Sequence, residues 1–267
     1  MRHPIVKLIT FGGGSKEYEN AAKRLIEQSK EFKSIDERRA YSKADLPKNY
    51  YDIFNEISSI SQGFGLYSWK PYLINDELSK LELNDILIYI DAGCELNKYG
   101  VRRFDDYLSY TSKNDVLLFE QQHLNRVWTK NHNKLLLSEH FFRNTLVAGI
   151  IFLKNTERAR KLVKTWLDLC AYENGALLRD PKESELQLEG FKKHRHDQSC
   201  LSVCAYMHNM ATIPDETNIP DWNRARNYPI LAIRNKSGTS RLGKNIRNKF
   251  LNNVISYLKC SLFKSNQ

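Results

Sequence analysis

Apolar runs and periodically spaced apolar positions predict the strands and helices of this chain. Residues 86–90, ILIYI, contain no charged or amide side chain, which indicates a strand buried on both faces of a sheet. Residues 17–32 and 157–173 repeat apolar positions at helical spacing, as amphipathic helices do. The pattern also predicts strands over residues 5–11, 115–121 and 147–153, and helices over 71–81, over 102–113 and from about Asp197.

The order of these elements predicts an α/β fold. The first strand leads into a glycine turn, GGGS at residues 12–15, and then into a helix, which is how a nucleotide-binding layer opens. GGGS matches neither the GxGxxG pattern nor the P-loop pattern, so by itself it is weak support for a nucleotide site. We expect one Rossmann-like α/β domain in which helices flank a central, mixed and mainly parallel sheet.

Composition and charge limit the classes of function. With 267 residues, 41% of them hydrophobic, the chain can bury the core of one large globular domain. The net charge of +10 comes from the C-terminal part, because residues 222–267 contain ten Lys and Arg and no Asp or Glu. The body therefore lacks the basic stripe that nucleic-acid binding requires, and no nucleic-acid partner is expected.

Targeting and cysteine patterns predict a reduced, cytoplasmic protein. The N-terminus has no secretory-signal pattern, and no apolar run is long enough to span a membrane. The cysteines form no CxxC pair, which favours reduced thiols. Cys200 and Cys204 are four residues apart on a predicted helix, and we expect them to be core residues rather than metal ligands.

Asp91 follows the buried strand directly and is the first candidate for chemistry. Ligands of open α/β sheets collect at the carboxyl ends of strands, and the small residues Ala92 and Gly93 let a bulky anion approach the backbone. A carboxylate beside a diphosphate needs a divalent cation between them, Mg²⁺ or Mn²⁺, and Glu95 is a candidate second ligand. The alternative is an Asp-Ala-Gly turn followed by a solvated Glu95.

The segment HRHDQS, residues 194–199, is the second candidate. His196 is a possible metal ligand or phosphate contact, Arg195 suits phosphate, and Gln198 suits a hydroxyl-rich ligand. Asp197 also fits the N-cap of the helix that begins there, and a purely structural cluster is the alternative. The absence of an HExxH pattern argues against a hydrolytic zinc site.

The segment FGLYSWKP, residues 64–71, is the third candidate. An aromatic cluster with Lys70 at a helix start suits stacking on a base or sugar and contact with phosphate. Packing of Trp69 as a hydrophobic staple at the helix entrance is the alternative.

Together these motifs resemble nucleotide-sugar glycosyltransferases of the A-type fold. LIYIDAGCEL resembles the strand whose acidic motif holds the donor diphosphate through a metal, and TLVAGIIFLKN at residues 145–155 resembles the later strand that passes the donor sugar. HRHDQSCLS resembles the Asp-Gln motif of the glycogenin and lipopolysaccharide galactosyltransferase group. The combination is similar to bacterial glycosyltransferase-like proteins found with surface polysaccharide synthesis, over about residues 5–235.

The resemblance implies roles for individual residues. Asp197 and Gln198 would be the catalytic residues, and the metal, Mn²⁺ or Mg²⁺, would be held by Asp91 with Glu95 or His196. The implied donor-binding residues are Phe11, Trp69, Lys70, Asp91, Ala92, Gly93, Ala148, Gly149 and Arg195. One departure puts the metal in doubt, because the usual motif has a second Asp where this chain has Gly93.

The resemblance also implies the reaction. The chain would move a sugar from a nucleotide-diphosphate sugar to a glycan or lipid-linked acceptor in surface polysaccharide or lipopolysaccharide synthesis, with a retaining mechanism favoured. Two other functions remain open: a sugar-phosphate nucleotidyltransferase, and a non-catalytic carbohydrate-binding protein with a degenerate transferase site.

The C-terminal part predicts a separate feature. We expect a catalytic domain over residues 1–235 and a basic amphipathic helical tail over residues 236–267. Such a helix suits an anionic membrane surface, which would place the protein at the inner face of the cytoplasmic membrane. The alternative is a terminal helix that packs on the body with its basic face in water.

Overall fold

The computed structural model describes residues 2–219 and 221–242. Three short 3₁₀ turns at Lys43–Asp45, Lys98–Gly100 and Ser138–His140 join the main elements. The main elements are, in order, β1 (Val6–Phe11), α1 (Lys16–Ser29), β2 (Glu37–Tyr41), α2 (Lys48–Ile53), α3 (Gly63–Leu66), α4 (Trp69–Lys80), β3 (Ile86–Ile90), β4 (Glu95–Leu96), α5 (Val101–Asn114), β5 (Val116–Leu124), α6 (Asn125–Trp128), β6 (Asn144–Leu146), β7 (Ile150–Lys154), α7 (Glu157–Ala171), α8 (Asp197–Met207), β8 (Thr212–Pro214), α9 (Trp222–Ala225) and β9 (Ile230–Leu231).

A seven-stranded sheet forms the centre of the fold. Its order is β2-β1-β3-β7-β5-β6, and β8 also pairs with β5. β1 is parallel to β2 and β3, whereas β7 is antiparallel to β3 and β5, so β6 and β7 run against the other five strands. The predicted α/β domain with a mixed, mainly parallel sheet and flanking helices is therefore confirmed.

The apolar run of β3 is explained by burial on both faces. Leu87 and Tyr89 pack in one core cluster, which includes Trp166 of α7. Ile86, Ile88 and Ile90 point to the other face and pack in a second cluster, which includes Phe104 of α5. Because successive side chains of a strand point to opposite faces, a strand covered by helices on both sides needs apolar residues at every position.

Most predicted elements are confirmed, one strand begins later than predicted, and several short elements were not predicted. β7 begins at Ile150, because residues 147–149 connect β6 to β7 outside the strand. β2 was not predicted, since its sequence ERRAY has no apolar run; it is the edge strand of the sheet and three of its residues are exposed. Cys200 and Cys204 are buried in the core, as predicted.

The described end of the chain packs on the domain. Ser237 contacts the guanidinium of Arg24, and Ser240 contacts the carboxylate of Glu95, so the predicted boundary at residue 235 falls inside a packed segment. The predicted amphipathic helix at residues 243–264 lies outside the described residues. Within residues 2–219 and 221–242, no helix is long and apolar enough to cross a membrane.

Candidate active site

Two adjoining cavities lie at the edge of the sheet where β1 and β3 end. Their volumes are about 540 and 520 Å³. β7 runs antiparallel, so its amino end and Gly149 lie at the same edge as Asp91. Residues lining both cavities are Asp91, Gly93, Ala148, Gly149, Gln198 and Arg234.

Asp91 is held at the junction of the cavities. Its backbone N–H donates to the carbonyl of Gly149 at 2.7 Å, and the Tyr89 hydroxyl donates to Oδ1 at 2.5 Å. The side chain remains 42% exposed. A Cβ on Gly149 would lie 2.5 Å from Oδ2 of Asp91, so only glycine fits beside this carboxylate.

Lys70 joins Asp91 to Asp197. Its side chain is 3% exposed, and its Nζ lies 2.9 Å from Oδ2 of Asp197 and 3.3 Å from Oδ1 of Asp91. Burial alone would lower the pKa of Lys70, but the two carboxylates outweigh it and raise the pKa above its ordinary value, so the ammonium stays charged. Burial raises the pKa of Asp197, and Lys70 offsets only part of that rise.

Asp197 is not the N-cap that the sequence suggests. It is the first residue of α8, and His196 occupies the cap position without a side-chain cap bond. The reason is the ion pair: Asp197 turns towards Lys70 rather than back to its own helix. His196 has φ 47° and ψ −119°, a conformation that is costly for a residue with a Cβ.

The ring of His196 lines the first cavity but has both nitrogens engaged. Nδ1 lies 2.6 Å from the carbonyl oxygen of Leu178, and Nε2 lies 2.8 Å from Nε2 of Gln62. Since the carbonyl only accepts, we assign the proton to Nδ1 and let Nε2 accept from the Gln62 amide. His196 therefore has its ring held on two sides by protein groups.

Glu95 lies away from Asp91 and lines neither cavity. Its fully buried carboxylate accepts hydrogen bonds from Asn235 Nδ2 at 2.6 Å, Ser240 Oγ at 2.5 Å and the Arg241 N–H at 2.8 Å. Burial would raise the pKa of Glu95, but these donors bring it below its ordinary value. In the described part of the chain no three His, Cys, Asp or Glu side chains form a group that could hold a metal. The structure thus separates Glu95 from Asp91 and His196, the other two predicted metal ligands, which both line the first cavity.

Gly93 adjoins a returning segment of chain. A Cβ on Gly93 would lie 3.5 Å from the Cα of Arg234, and the Gly93 carbonyl accepts from the N–H of Asn235 at 2.8 Å. Arg234 has φ 54° and lines both cavities, and Lys236 lines the first. The chain therefore brings Arg234 beside Gly93, the position where the motif that this segment resembles carries a second carboxylate.

Aromatic rings form one wall of the first cavity. Trp69 is 5% exposed, stacks on Phe11 at 4.0 Å between centroids, and donates from Nε1 to the carbonyl of Gly63. Trp69 is thus mainly a packing residue, whereas Phe64 and Tyr67 are half-buried and line the cavity.

A left-handed turn carries these two rings. All five residues from Gly63 to Tyr67 have positive φ, between 50° and 78°. Such a conformation costs about 1–3 kcal/mol for each non-glycine residue, so the surrounding packing must hold it. The sequence gives no signal for this turn beyond its two glycines.

Positive charge predominates around the first cavity. Lysines and arginines outnumber carboxylates, and those without an ion-pair partner among residues 2–219 and 221–242 are Lys193, Arg195, Arg234 and Lys236. Arg195 lies over the ring of Trp128 at 4.2 Å. Burial and the neighbouring charge of Arg234 both lower the pKa of Arg195. Cations that repel one another at a cavity wall are suited to an anionic ligand.

The second cavity has a mixed lining. Apolar side chains such as Ile150 share its wall with amide, hydroxyl and carboxylate groups, including Gln121, Gln198, Asp215 and Thr217. The amide of Gln198 donates to Oε1 of Gln121 at 2.9 Å, and Oδ1 of Asp215 accepts from the N–H and hydroxyl of Thr217. Such a lining suits a ligand rich in hydroxyl groups.

The structure brings all but one of the predicted site residues to the first cavity; the exception is Glu95. Sequence reasoning missed Arg234 and Lys236, whereas Phe64 and Tyr67 belong to the predicted aromatic segment 64–71 although they were not singled out within it. The signal for the two cations was faint, because a basic C-terminal segment does not reveal which of its charges return to the sheet. The predicted residues at the first cavity are Phe11, Trp69, Lys70, Asp91, Ala92, Gly93, Ala148, Gly149, Arg195, His196, Asp197 and Gln198.

No protein-family model and no curated protein matches this chain. A glycosyltransferase involved in the glycosylation of the major capsid of PBCV-1 has 11% identity and a TM-score of 0.43, over 90% of this chain and 96% of that chain. Mouse xyloside xylosyltransferase 1 has 8% identity and a TM-score of 0.43, over 79% and 84%. A protein described as a glucose-1-phosphate thymidylyltransferase from Bacillus anthracis has 12% identity and a TM-score of 0.33, over 64% and 78%. Likenesses this distant do not establish the function of this chain.

Proposed function

We propose that this protein is a glycosyltransferase that moves a sugar from a nucleotide-diphosphate sugar to a glycan or lipid-linked acceptor. The observation that carries the proposal is a cationic cavity that shares Asp91 and Gln198 with a second cavity, whose wall carries amide, hydroxyl and carboxylate groups. A transferase needs this arrangement, because an anionic donor and a hydroxyl-bearing acceptor must be held side by side with their reacting atoms at the junction.

The first cavity has the size and lining for the donor. Its volume of about 540 Å³ lies in the ordinary range of small-molecule sites. We assign the diphosphate to the side formed by the glycine turn, the N-terminus of α1 and the cations Arg195 and Arg234. Phe64 and Tyr67 offer apolar faces to the nucleoside. The donor sugar then lies beside Gly149.

The reaction breaks the bond between the anomeric carbon and a phosphate oxygen and joins that carbon to the acceptor oxygen, whose proton passes to the departing diphosphate. Positive charge develops on the sugar beside Asp91 and Asp197, and negative charge develops on the diphosphate beside the arginines. Lys70 lies between the two carboxylates and orients them before the donor arrives. Catalysis then consists mainly of positioning and charge stabilisation.

The acceptor occupies the second cavity in this proposal, where Gln121, Gln198 and Asp215 contact its hydroxyl groups. The resemblance to the Asp-Gln group supports retention of anomeric configuration and a role in surface polysaccharide or lipopolysaccharide synthesis. Asp215 is the carboxylate that an inverting enzyme would use as a base in this cavity. Proton NMR of the first-formed product distinguishes a retaining from an inverting mechanism. A product with inverted anomeric configuration, whose formation stops in Asp215→Asn, would replace the retaining assignment.

One alternative is disfavoured by the position of Lys16. In a sugar-phosphate nucleotidyltransferase, the lysine of the GGGSK turn would contact the phosphates of the substrate. Here Lys16 is exposed, and its Nζ lies 2.9 Å from a carboxylate oxygen of Glu19. A non-catalytic carbohydrate-binding protein would keep the second cavity and show no turnover.

The deciding experiment measures slow hydrolysis and transfer with a panel of nucleotide-diphosphate sugars, with Mn²⁺ and with EDTA. We expect turnover of at least one donor, and loss of that turnover in Asp91→Asn and Asp197→Asn with the fold intact by circular dichroism. Asp168→Asn, which changes an exposed carboxylate on α7, is the matched control and should keep full activity. A panel without turnover or binding, or activity retained in both site variants, would overturn the proposal.

A further inference from the structure

Two buried charged residues outside the proposed chemistry hold the C-terminal strap, which we define as residues 234–242. Glu95 is one of them: besides Asn235, Ser240 and Arg241, its carboxylate accepts from the side-chain amide of Gln28 and the N–H of Leu242. Five donors on one buried carboxylate are far more than a solvated surface residue has. The strap is therefore fixed to the domain at its second half.

Arg24 holds the first half of the strap. Its NH1 donates to the carbonyls of Asn235 at 3.0 Å and Ser237 at 2.6 Å. Its NH2 donates to the carbonyls of Ala92 at 2.8 Å and Cys94 at 2.6 Å, in the turn that follows Asp91. One guanidinium thus ties the strap to the acidic turn, and the four hydrogen bonds of this buried group help set the position of Arg234 relative to Asp91.

The strap brings charge to a place where metal ligands are missing. Asp91 is the one carboxylate at the first cavity that is substantially exposed, since Asp197 is buried against Lys70. A divalent cation bridging protein and diphosphate draws on several oxygen ligands, and here the second carboxylate position of the motif is Gly93, beside which the strap passes. Arg234 and Lys236 of the strap line the same cavity as Arg195, and in the described part of the chain none of the three forms an ion pair within 4 Å.

We propose that this chain binds the diphosphate of its donor with Arg234, Lys236 and Arg195 and without a divalent metal, and that Glu95 and Arg24 position the strap that carries two of these cations. For a sugar donor the inference rests on the proposed function, whereas the diphosphate site itself can be measured without turnover. Guanidinium groups suit this role because they donate paired hydrogen bonds to phosphate oxygens and remain charged.

Calorimetric titration of the full chain with inorganic pyrophosphate and with UDP, in EDTA, tests the inference. We expect binding in EDTA, weakening with added salt, and no gain in affinity when Mn²⁺ replaces EDTA. Arg234→Gln should weaken pyrophosphate binding by about 10- to 100-fold, since a hydrogen bond to a charged group is lost, and Arg234→Lys should recover part of it. Arg102→Gln, an exposed arginine of α5 outside both cavities, is the matched control.

Glu95→Gln tests the positioning role. It should weaken pyrophosphate binding and speed amide hydrogen exchange over residues 235–242, with little change of exchange in the strands of the sheet. Slow exchange of the strap together with wild-type affinity in this variant would refute the positioning role.

The outcomes separate the inference from the proposed function. Binding in EDTA without turnover of any donor keeps the metal-free site and removes the transferase. Turnover or pyrophosphate binding that requires Mn²⁺ overturns the metal-free site and leaves the transferase standing. Absence of pyrophosphate and UDP binding under both conditions also overturns the inference.

Discussion

Removal of the Lys70 ammonium should destabilise the protein strongly at neutral pH. In Lys70→Met a side chain of similar length remains, but the carboxylate of Asp197, whose side chain is 6% exposed, loses its cation at 2.9 Å. Breaking a buried ion pair by removing one partner costs about 3–5 kcal/mol, because a buried charge is left uncompensated. For a chain of this size such a loss corresponds to a fall in Tm of about 10 °C.

The destabilisation caused by Lys70→Met should depend on pH. Burial already raises the pKa of Asp197, and without Lys70 the pKa rises further above its value in the unfolded chain. The folded variant therefore takes up a proton more readily than the unfolded chain, and the destabilisation shrinks as the pH falls and Asp197 becomes neutral. The gap in Tm between wild type and Lys70→Met should be largest at pH 8 and smaller at pH 5.

Differential scanning calorimetry at pH 5 to 8 measures this gap. Lys164→Met is the matched control, because it removes an exposed lysine that pairs with Asp168 and should change stability by less than about 1 kcal/mol. Combining Lys70→Met with Asp197→Asn should restore much of the lost stability, since the uncompensated charge is gone. A Tm for Lys70→Met equal to that of wild type at pH 8, or a gap that grows on acidification, would refute the reasoning.

Three other predictions concern two single residues and the C-terminal tail. Gly149→Ala should lower turnover by more than about tenfold, because the added Cβ would lie 2.5 Å from Oδ2 of Asp91 and must push this carboxylate aside. Steady-state kinetics measure the effect with Ala148→Gly as the comparison, and an unchanged kcat would contradict the prediction. Burial lowers the pKa of His194 to about 3, so the folded state resists the proton that the unfolded chain takes up below its ordinary pKa near 6.5. Between pH 7 and pH 5, the free energy of unfolding measured in urea should therefore fall by about 2 kcal/mol less in His194→Gln than in wild type. Equal falls in the two proteins would disprove this prediction. A chain ending after Leu242 should lose binding to anionic liposomes in a sedimentation assay, and unchanged binding would remove the membrane prediction.

Local pattern was enough to predict the elements that carry the site. The unbroken run before Asp91 indicated a central strand, because only a strand covered on both faces tolerates apolar residues throughout. Pro71 in the first turn marked the beginning of α4 close to Lys70, and the density of polar groups before Cys200 marked the start of α8. These patterns involve residues within a few positions of one another in the chain, so they can be recognised from the sequence alone.

The arrangement of charges was decided by the tertiary structure. Lys70 and Asp197 are far apart in sequence, as are Glu95 and Ser240, which are separated by 145 positions, and no periodicity relates such residues. Asp197 therefore fits an N-cap by sequence yet forms an ion pair, and Glu95 fits a metal ligand yet holds the C-terminal strap. The sequence by itself determined where the central strand and the acidic turn lie. Only the packed fold decided which cation or hydrogen-bond donors each buried carboxylate meets, because a buried charge takes the partners that the fold brings within reach.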